Sequence, residues 1–254
     1  QDKTHRYLHP GAHGSKLYIG HLCVVHWTMD AMVKHVTEDG SVTFISKRYD
    51  EAYHSLTGAR EEAFKKYAEP CKIKELAKKG NISILDFCFG LGYNTAAALD
   101  VALKENPNCK ITVVALEIDE EILAQIDKLT PEIDHYDIIK KLSRQEGKIK
   151  EIKETSENKN IHIKLLVGDA RETLDLIQEK FDAVFFDPFS PKKCPELWTE
   201  EIFAKVNKLM NKDAILATYS CAGEVRRNMK EAGFKVVDGP IVRRWSPGTL
   251  GIKV

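Results

Sequence analysis

Asp187-Pro188-Phe189 puts a carboxylate, a rigid turn and an aromatic ring in consecutive positions, just after the apolar run Phe181 to Phe186. That trio suits chemistry at a nitrogen. The nucleophile's lone pair must be free and aimed at its target, while a carboxylate holds the N–H groups and accepts a proton. A ring beside it walls the reacting centre. Asp187 and Phe189 are therefore the candidate catalytic residues. The bland alternative is a capped turn with Phe189 in the core.

A second constellation precedes it. The apolar run from Ile82 ends in Asp86, and the turn Phe89-Gly90-Leu91-Gly92 leads into Tyr93-Asn94-Thr95 and a run of alanines. Glycines let backbone pass close to a ligand, and a helix start offers unpaired N–H groups. Strand, glycine turn, helix is how open α/β sheets bind nucleotide-like cofactors. The next strands carry acids at their carboxyl ends: Glu117, placed where a ribose would lie, then Asp169-Ala170 and Asp187. The expected cofactor residues are Asp86, Gly90, Gly92, Tyr93, Asn94, Glu117, Asp169 and Ala170.

The elements that must position these groups alternate regularly. Strands are expected at 82–89, 110–118, 161–169, 181–187 and 213–220, with helices at 93–105, 171–179, 199–210 and 222–232. Two closing strands follow, at 234–238 and within 242–254. Five parallel strands plus two fit the seven-stranded, Rossmann-like α/β sheet of S-adenosylmethionine-dependent methyltransferases. The rival use, a dinucleotide dehydrogenase, needs a third small residue after Gly92 and an acid about 20 residues on. Tyr93-Asn94-Thr95 lacks that residue, and Glu117 lies too far along. Residues 119–160 exceed an ordinary crossover. They show helical periodicity at 120–129 and 134–142, then a lysine- and glutamate-rich tail, and are expected to form a helical insertion. Residues 80–254 are read as the methyltransferase domain.

Residues 1–79 are read as a smaller extension of β-hairpins and helices. Leu17 to Trp27 alternates like a strand, Glu38-Asp39-Gly40 makes a turn, and Ser41 to Tyr49 has a period of two. Helices are expected over 60–67, before Pro70, and over 72–79. Tyr53-His54-Ser55 lies where it can fold over the cofactor mouth. Met32 precedes a more regular run, which leaves residues 1–31 open as a leader.

Of 254 residues, 43% are hydrophobic and 30% charged, as in soluble globular proteins. No apolar run reaches membrane-spanning length, so a cytoplasmic protein without membrane association is expected. Six cysteines without a C-x-x-C pair read as free thiols. Five of the nine histidines fall within the first 26 residues, but their spacing matches no metal motif, and no metal is expected. The net charge of +0 argues against a general nucleic-acid coat while allowing a local basic face. Lys192-Lys193, Arg226-Arg227 and Arg243-Arg244 are the pairs available for one.

Three blocks in order resemble the MnmC methyltransferase family. Phe89-Gly90-Leu91-Gly92-Tyr93-Asn94 looks like its Phe-Gly-x-Gly-x-Asn signature. Phe186 to Trp198 is similar to its Asp-Gly-Phe-Ala-Pro-x-x-x-Pro-x-x-Trp segment. Ala217 to Arg227, followed by Ala232-Gly233-Phe234, resembles its Thr-x-x-x-Ala-Gly-x-Val-Arg-Arg block. The resemblance covers roughly residues 50–254. It implies methylation of the aminomethyl nitrogen on the wobble uridine of tRNA, with S-adenosylmethionine as cofactor and Asp187 in catalysis. tRNA is the implied partner, contacted by Lys192, Lys193, Arg226 and Arg227; the association state is open, and a monomer is compatible. Pro188 and Ser190 depart from the family's glycine and alanine, which bears on the shape of the target pocket. Many relatives carry an FAD-dependent oxidase domain; no second glycine fingerprint occurs here, so a form without FAD is expected. Two other readings stand beside it: an aminopropyltransferase, whose pocket should be more acidic than Lys192-Lys193 suggests, and a non-catalytic RNA-binding module.

Overall fold

The structure, a computed structural model, describes residues 32–156, 159–243 and 245–254. The expected strand at Leu17 to Trp27, the five amino-terminal histidines and Arg244 lie outside the described residues.

Apolar, β-branched runs build the central sheet. Strands β4 (Asn81–Phe87), β5 (Lys110–Glu117), β7 (Lys159–Val167), β8 (Phe181–Phe186) and β9 (Met210–Thr218) run parallel. Helices cover such sheets on both faces, which is why these strands read as continuous apolar runs rather than alternating ones. Ile84, Leu85, Phe87, Val113, Leu116, Ile163, Val184 and Phe186 are all buried. Antiparallel β11 (Thr249–Lys253) and β10 (Phe234–Asp238) close one edge. The other edge corrects the expectation of seven strands. Residues Ile149–Ser156, expected to end a helical insertion, form strand β6, antiparallel to β7, so the sheet has eight strands in the order β10-β11-β9-β8-β4-β5-β7-β6. Lys150, Glu151, Lys153 and Glu154 load this edge strand with charge, which discourages further pairing. The helical part of the insertion keeps α4 (Glu120–Leu123) and α5 (Tyr136–Ser143).

Helix α3 (Tyr93–Glu105) starts straight from the glycine turn, with Gly92 at φ 73°. Before the sheet, β1 (Val33–Val36), β2 (Val42–Ser46) and β3 (Glu51–Ala52) form a small antiparallel sheet. Asp39 closes its first turn, accepting from Ser41 and Thr37, bonds that carry its carboxyl down to about 2 against the opposing effect of burial. Then α1 (Ala59–Glu62) passes into a π-helical turn, Ala63–Ala68, before α2 (Ile73–Lys78). π-helical turns are rare and concentrate at functional sites. Residues 33–254 form one compact unit. No helix among the described residues is long and apolar enough to cross a membrane.

Candidate active site

The register brings the expected acids to one level. Phe87 pairs with both Leu116 and Phe186, so β4, β5 and β8 end side by side. The Phe89 amide donates to the Leu116 carbonyl at 2.8 Å and the Asp187 amide to the Phe87 carbonyl at 3.0 Å. Whatever follows these strands therefore faces a common space, a cavity of about 400 Å³. Gly90, Glu117, Asp187, Pro188 and Phe189 line it from the sheet. Tyr49, Glu51, Tyr53, His54, Glu62 and Lys66 line it from the segment before β4.

Glu117 forms one side of the floor. One carboxylate oxygen accepts from the Gly90 amide at 2.7 Å, the other from the Ile118 and Asp119 amides at 2.9 and 2.8 Å. Burial nonetheless pushes its carboxyl up to about 7. Cys88, Gly90 and Gly92 take positive φ of 69°, 54° and 73°, so the turn coils tightly and points backbone at the cavity. The two glycines have different reasons. A Cβ on Gly92 would lie 2.6 Å from Ile139 and Phe89, whereas at Gly90 it would meet Tyr53 and His54 only at ordinary contact distance. Gly92 is needed for packing, Gly90 for an open floor.

Asp187 forms the other side. The hydroxyl of Tyr67, which is fully buried, donates to one carboxylate oxygen, and Asn94 Nδ2 donates to the other at 2.9 Å. Burial, and then repulsion from Glu62, push Asp187 up to about 7 despite those two donors. Phe189 stacks on Tyr49 with ring centroids 4.6 Å apart and meets Tyr53 edge-on at 4.9 Å. Trp198 holds this loop from below: its indole N–H donates to the Phe189 carbonyl at 2.8 Å, and its ring packs on Phe186 and Tyr219.

The remaining expected residues sit elsewhere. Asp86 is fully buried beneath the turn and accepts from the Thr95 hydroxyl at 2.6 Å. The Tyr93 hydroxyl donates to the Val42 carbonyl at 2.9 Å, tying α3 to the small sheet. Asn94 meets Asp187 rather than the cavity. Asp169 caps the short helix α6 (Ala170–Thr173), pairs with Arg171 and does not line the cavity; Ala170 is buried. Lys192 and Lys193 are exposed on the loop after Phe189, and Lys193 lies 3.4 Å from Asp50. On the helix Gly223–Glu231, Arg226 pairs with Asp238, while Arg227 is exposed.

Sequence reasoning missed Tyr67, Glu62, Lys66 and Glu51. Glu62 and Lys66 form a buried ion pair, with side chains 8% and 6% exposed, and Glu62 also accepts the Ser55 amide at 2.8 Å. Glu51 accepts from the Ser190 hydroxyl at 2.6 Å, fixing the loop after Phe189. Only the i,i+4 spacing of Glu62 and Lys66 is a sequence signal, and it reads as surface. By contrast Tyr53-His54-Ser55 lies in the cavity wall.

This arrangement suits a cofactor that combines hydroxyls, an apolar body and a charged tail. Glu117 supplies acceptors, the Phe189, Ile118 and Leu197 side chains supply apolar surface, and the glycine turn leaves room. A family model described as S-adenosyl-L-methionine-dependent methyltransferase matches residues 132–254. Fold and match agree on that class of enzyme.

The particular family follows from its relatives. A crystal structure of MnmC2 from Aquifex aeolicus is 33% identical, with a TM-score of 0.73 over 88% of this chain and 71% of that one. The chain belongs to the MnmC methyltransferase family. An uncharacterized protein of Methanocaldococcus jannaschii is 36% identical over 220 residues, 85% of this chain and 58% of its own length. The tRNA 5-methylaminomethyl-2-thiouridine biosynthesis bifunctional protein MnmC of Aromatoleum aromaticum is 29% identical over 221 residues. This chain covers 80% of itself in that match but spans 32% of the bifunctional protein.

Proposed function

We propose that the protein methylates the aminomethyl nitrogen of a modified wobble uridine in tRNA, converting aminomethyl-(2-thio)uridine to methylaminomethyl-(2-thio)uridine. The observation that carries this reading is Asp187 at the cavity floor, doubly held by Tyr67 and Asn94 and walled by Phe189. The family, and the wording of its tRNA-modifying relatives' names, support the substrate.

S-adenosylmethionine, when bound, supplies a methyl group on a sulfonium. The protein's part is to prepare the amine. An alkylammonium has no lone pair to attack with, so it must first lose a proton. Ionised Asp187 accepts hydrogen bonds from the amine's N–H groups and takes up that proton; a carboxyl near pH 7 is well matched to the task. Tyr67 and Asn94 fix the carboxylate so that the held nitrogen points one way, which supplies orientation rather than charge. Phe189, clamped between Tyr49 and Tyr53, excludes water and limits the space to a slim aminomethyl group.

In this reading Gly90 and Glu117 hold the cofactor directly. Asp86, Gly92, Tyr93 and Asn94 serve it at one remove, by shaping the turn and aiming Asp187. Asp169 and Ala170 border its far end. Lys192, Lys193, Arg226 and Arg227 meet tRNA phosphates.

The test is methyl incorporation from labelled S-adenosylmethionine into tRNA carrying an aminomethyl wobble uridine. Unmodified tRNA, carboxymethylaminomethyl tRNA and putrescine serve as controls. Labelling of the aminomethyl tRNA alone is expected. Labelling of putrescine, or of unmodified tRNA equally well, overturns the assigned substrate.

A further inference from the structure

His54 occupies an unusual position in the cavity wall. Its residue is 6% exposed, and neither ring nitrogen has a hydrogen-bond partner. Its backbone is well anchored, the amide donating to Thr43 Oγ1 at 3.1 Å, and its ring meets Tyr93 edge-on at 5.1 Å. The ring is thus held in place with nothing to bond to. Nε2 lies 3.8 Å from where a Cβ on Gly90 would stand, so the ring sits against the glycine turn in the lining of the cavity. Buried polar groups are rarely left unpaired, because losing water without gaining a partner costs stability. The missing partner is something that binds.

The cavity's own chemistry says what that partner is. Its lining carries five carboxylates, Glu51, Glu62, Glu117, Asp119 and Asp187. Ammonium and hydroxyl groups of a ligand therefore meet acceptors readily; a ligand carboxylate needs donors. Lys66 and His54 are the lining side chains with N–H groups, and Lys66 is tied to Glu62. Burial holds the imidazole neutral, down to about 4, so near neutral pH one nitrogen carries a hydrogen to donate.

We infer that His54 is a cofactor-recognition residue, donating a hydrogen bond to the α-carboxylate of S-adenosylmethionine. The inference rests on the cofactor lying in this cavity and is independent of the tRNA substrate. It makes His54 the element that separates S-adenosylmethionine from its decarboxylated form, which other proteins use for aminopropyl transfer.

The test is calorimetric titration of wild type, His54→Phe and His54→Gln with S-adenosylmethionine and decarboxylated S-adenosylmethionine, without tRNA. In wild type the carboxylated ligand should bind more tightly by about tenfold or more, the range for a charge-assisted hydrogen bond. His54→Phe should bring that preference close to one, and His54→Gln should keep much of it. The cofactor-free melting temperature of His54→Phe should stay level or rise, since an unpaired polar group has been removed. An unchanged preference in His54→Phe, an equal loss for both ligands, or a fall in its melting temperature each overturns the assignment. A wild type that binds neither ligand overturns the cofactor's placement along with it.

Discussion

The floor of the cavity and its wall treat polar groups differently. On the floor each carboxylate is held in place by its own chain: Glu117 by three backbone N–H groups, Asp187 by Tyr67 and Asn94. The wall is looser. It holds a histidine without partners, a buried ion pair on a π-helical turn and rings packed on one another. Strand register fixes the floor, so its groups are in place before a ligand arrives. The wall comes from an antiparallel sheet and a helical turn that touch the floor through side chains, and there the ligand completes the bonding. The difference divides the labour: reaction geometry belongs to the floor, ligand selection to the wall.

Removing the floor's central carboxylate should have the largest effect. Asp187→Ala should lower methyl transfer by roughly 10²–10⁴-fold, the range of a positioned general base. S-adenosylmethionine affinity should stay within a few-fold, because the floor's other side is untouched. Single-turnover labelling and calorimetry on the same sample separate the two. Loss of cofactor binding together with activity would merge floor and wall into one unit and break the division proposed here.

The wall should fail through stability instead. Lys66→Met leaves Glu62 buried beside Asp187 without its counter-ion, and breaking a buried pair costs roughly 3–5 kcal/mol. Denaturant unfolding should show most of that loss restored in the double variant Lys66→Met/Glu62→Met, in which no uncompensated charge remains. If the single variant is as stable as wild type, the pair is solvated, and the wall is more open than its burial implies.

Tyr67 tests how far the wall reaches into the floor's chemistry. kcat/KM should climb about tenfold per pH unit as Asp187 ionises and level off above about pH 7. The Tyr67 hydroxyl stabilises the ionised carboxylate, so Tyr67→Phe leaves the proton harder to remove. The acid limb should move to higher pH by about one unit, and the rate at pH 7 should fall by about fivefold. A pH–rate profile of both proteins decides it. A limb that stays put while the rate drops would reduce Tyr67 to packing.

The same division explains what the sequence disclosed. β4, β5, β7 and β8 each end in an apolar run followed by an acid or a glycine, and parallel topology sends those ends to one edge, so Gly90, Glu117 and Asp187 could be found from local pattern. Helix Tyr93–Glu105 and strand Phe234–Asp238 have the expected limits because glycine, proline or a turn bounds them. Residues 149–156 misled because lysine and glutamate suit an exposed helix and an edge strand alike; only pairing with β7 settles it. Tyr67 meets Asp187 across 120 residues, a contact that no local spacing announces. Asn94 was visible as part of the glycine turn, but its role toward Asp187 depends on the register of β4 against β8.

The smallest effects belong outside the cavity, at the basic pairs. Arg226 is already paired with Asp238 and Lys193 lies near Asp50, so their charges are partly spent within the chain. Lys192 and Arg227 are exposed and make no ion pair among the described residues. If tRNA reaches Asp187 along this side, Lys192→Ala and Arg227→Ala should each raise the KM for tRNA about two- to three-fold, with kcat unchanged. Each lost phosphate contact should also reduce the steepness of the salt dependence. Arg226→Ala should do less than Arg227→Ala, because its cationic group must first leave a carboxylate. Steady-state assays at several salt concentrations read both quantities. Equal, salt-independent effects of all three variants would place the tRNA on another face and leave the loop after Phe189 as a lid on the wall.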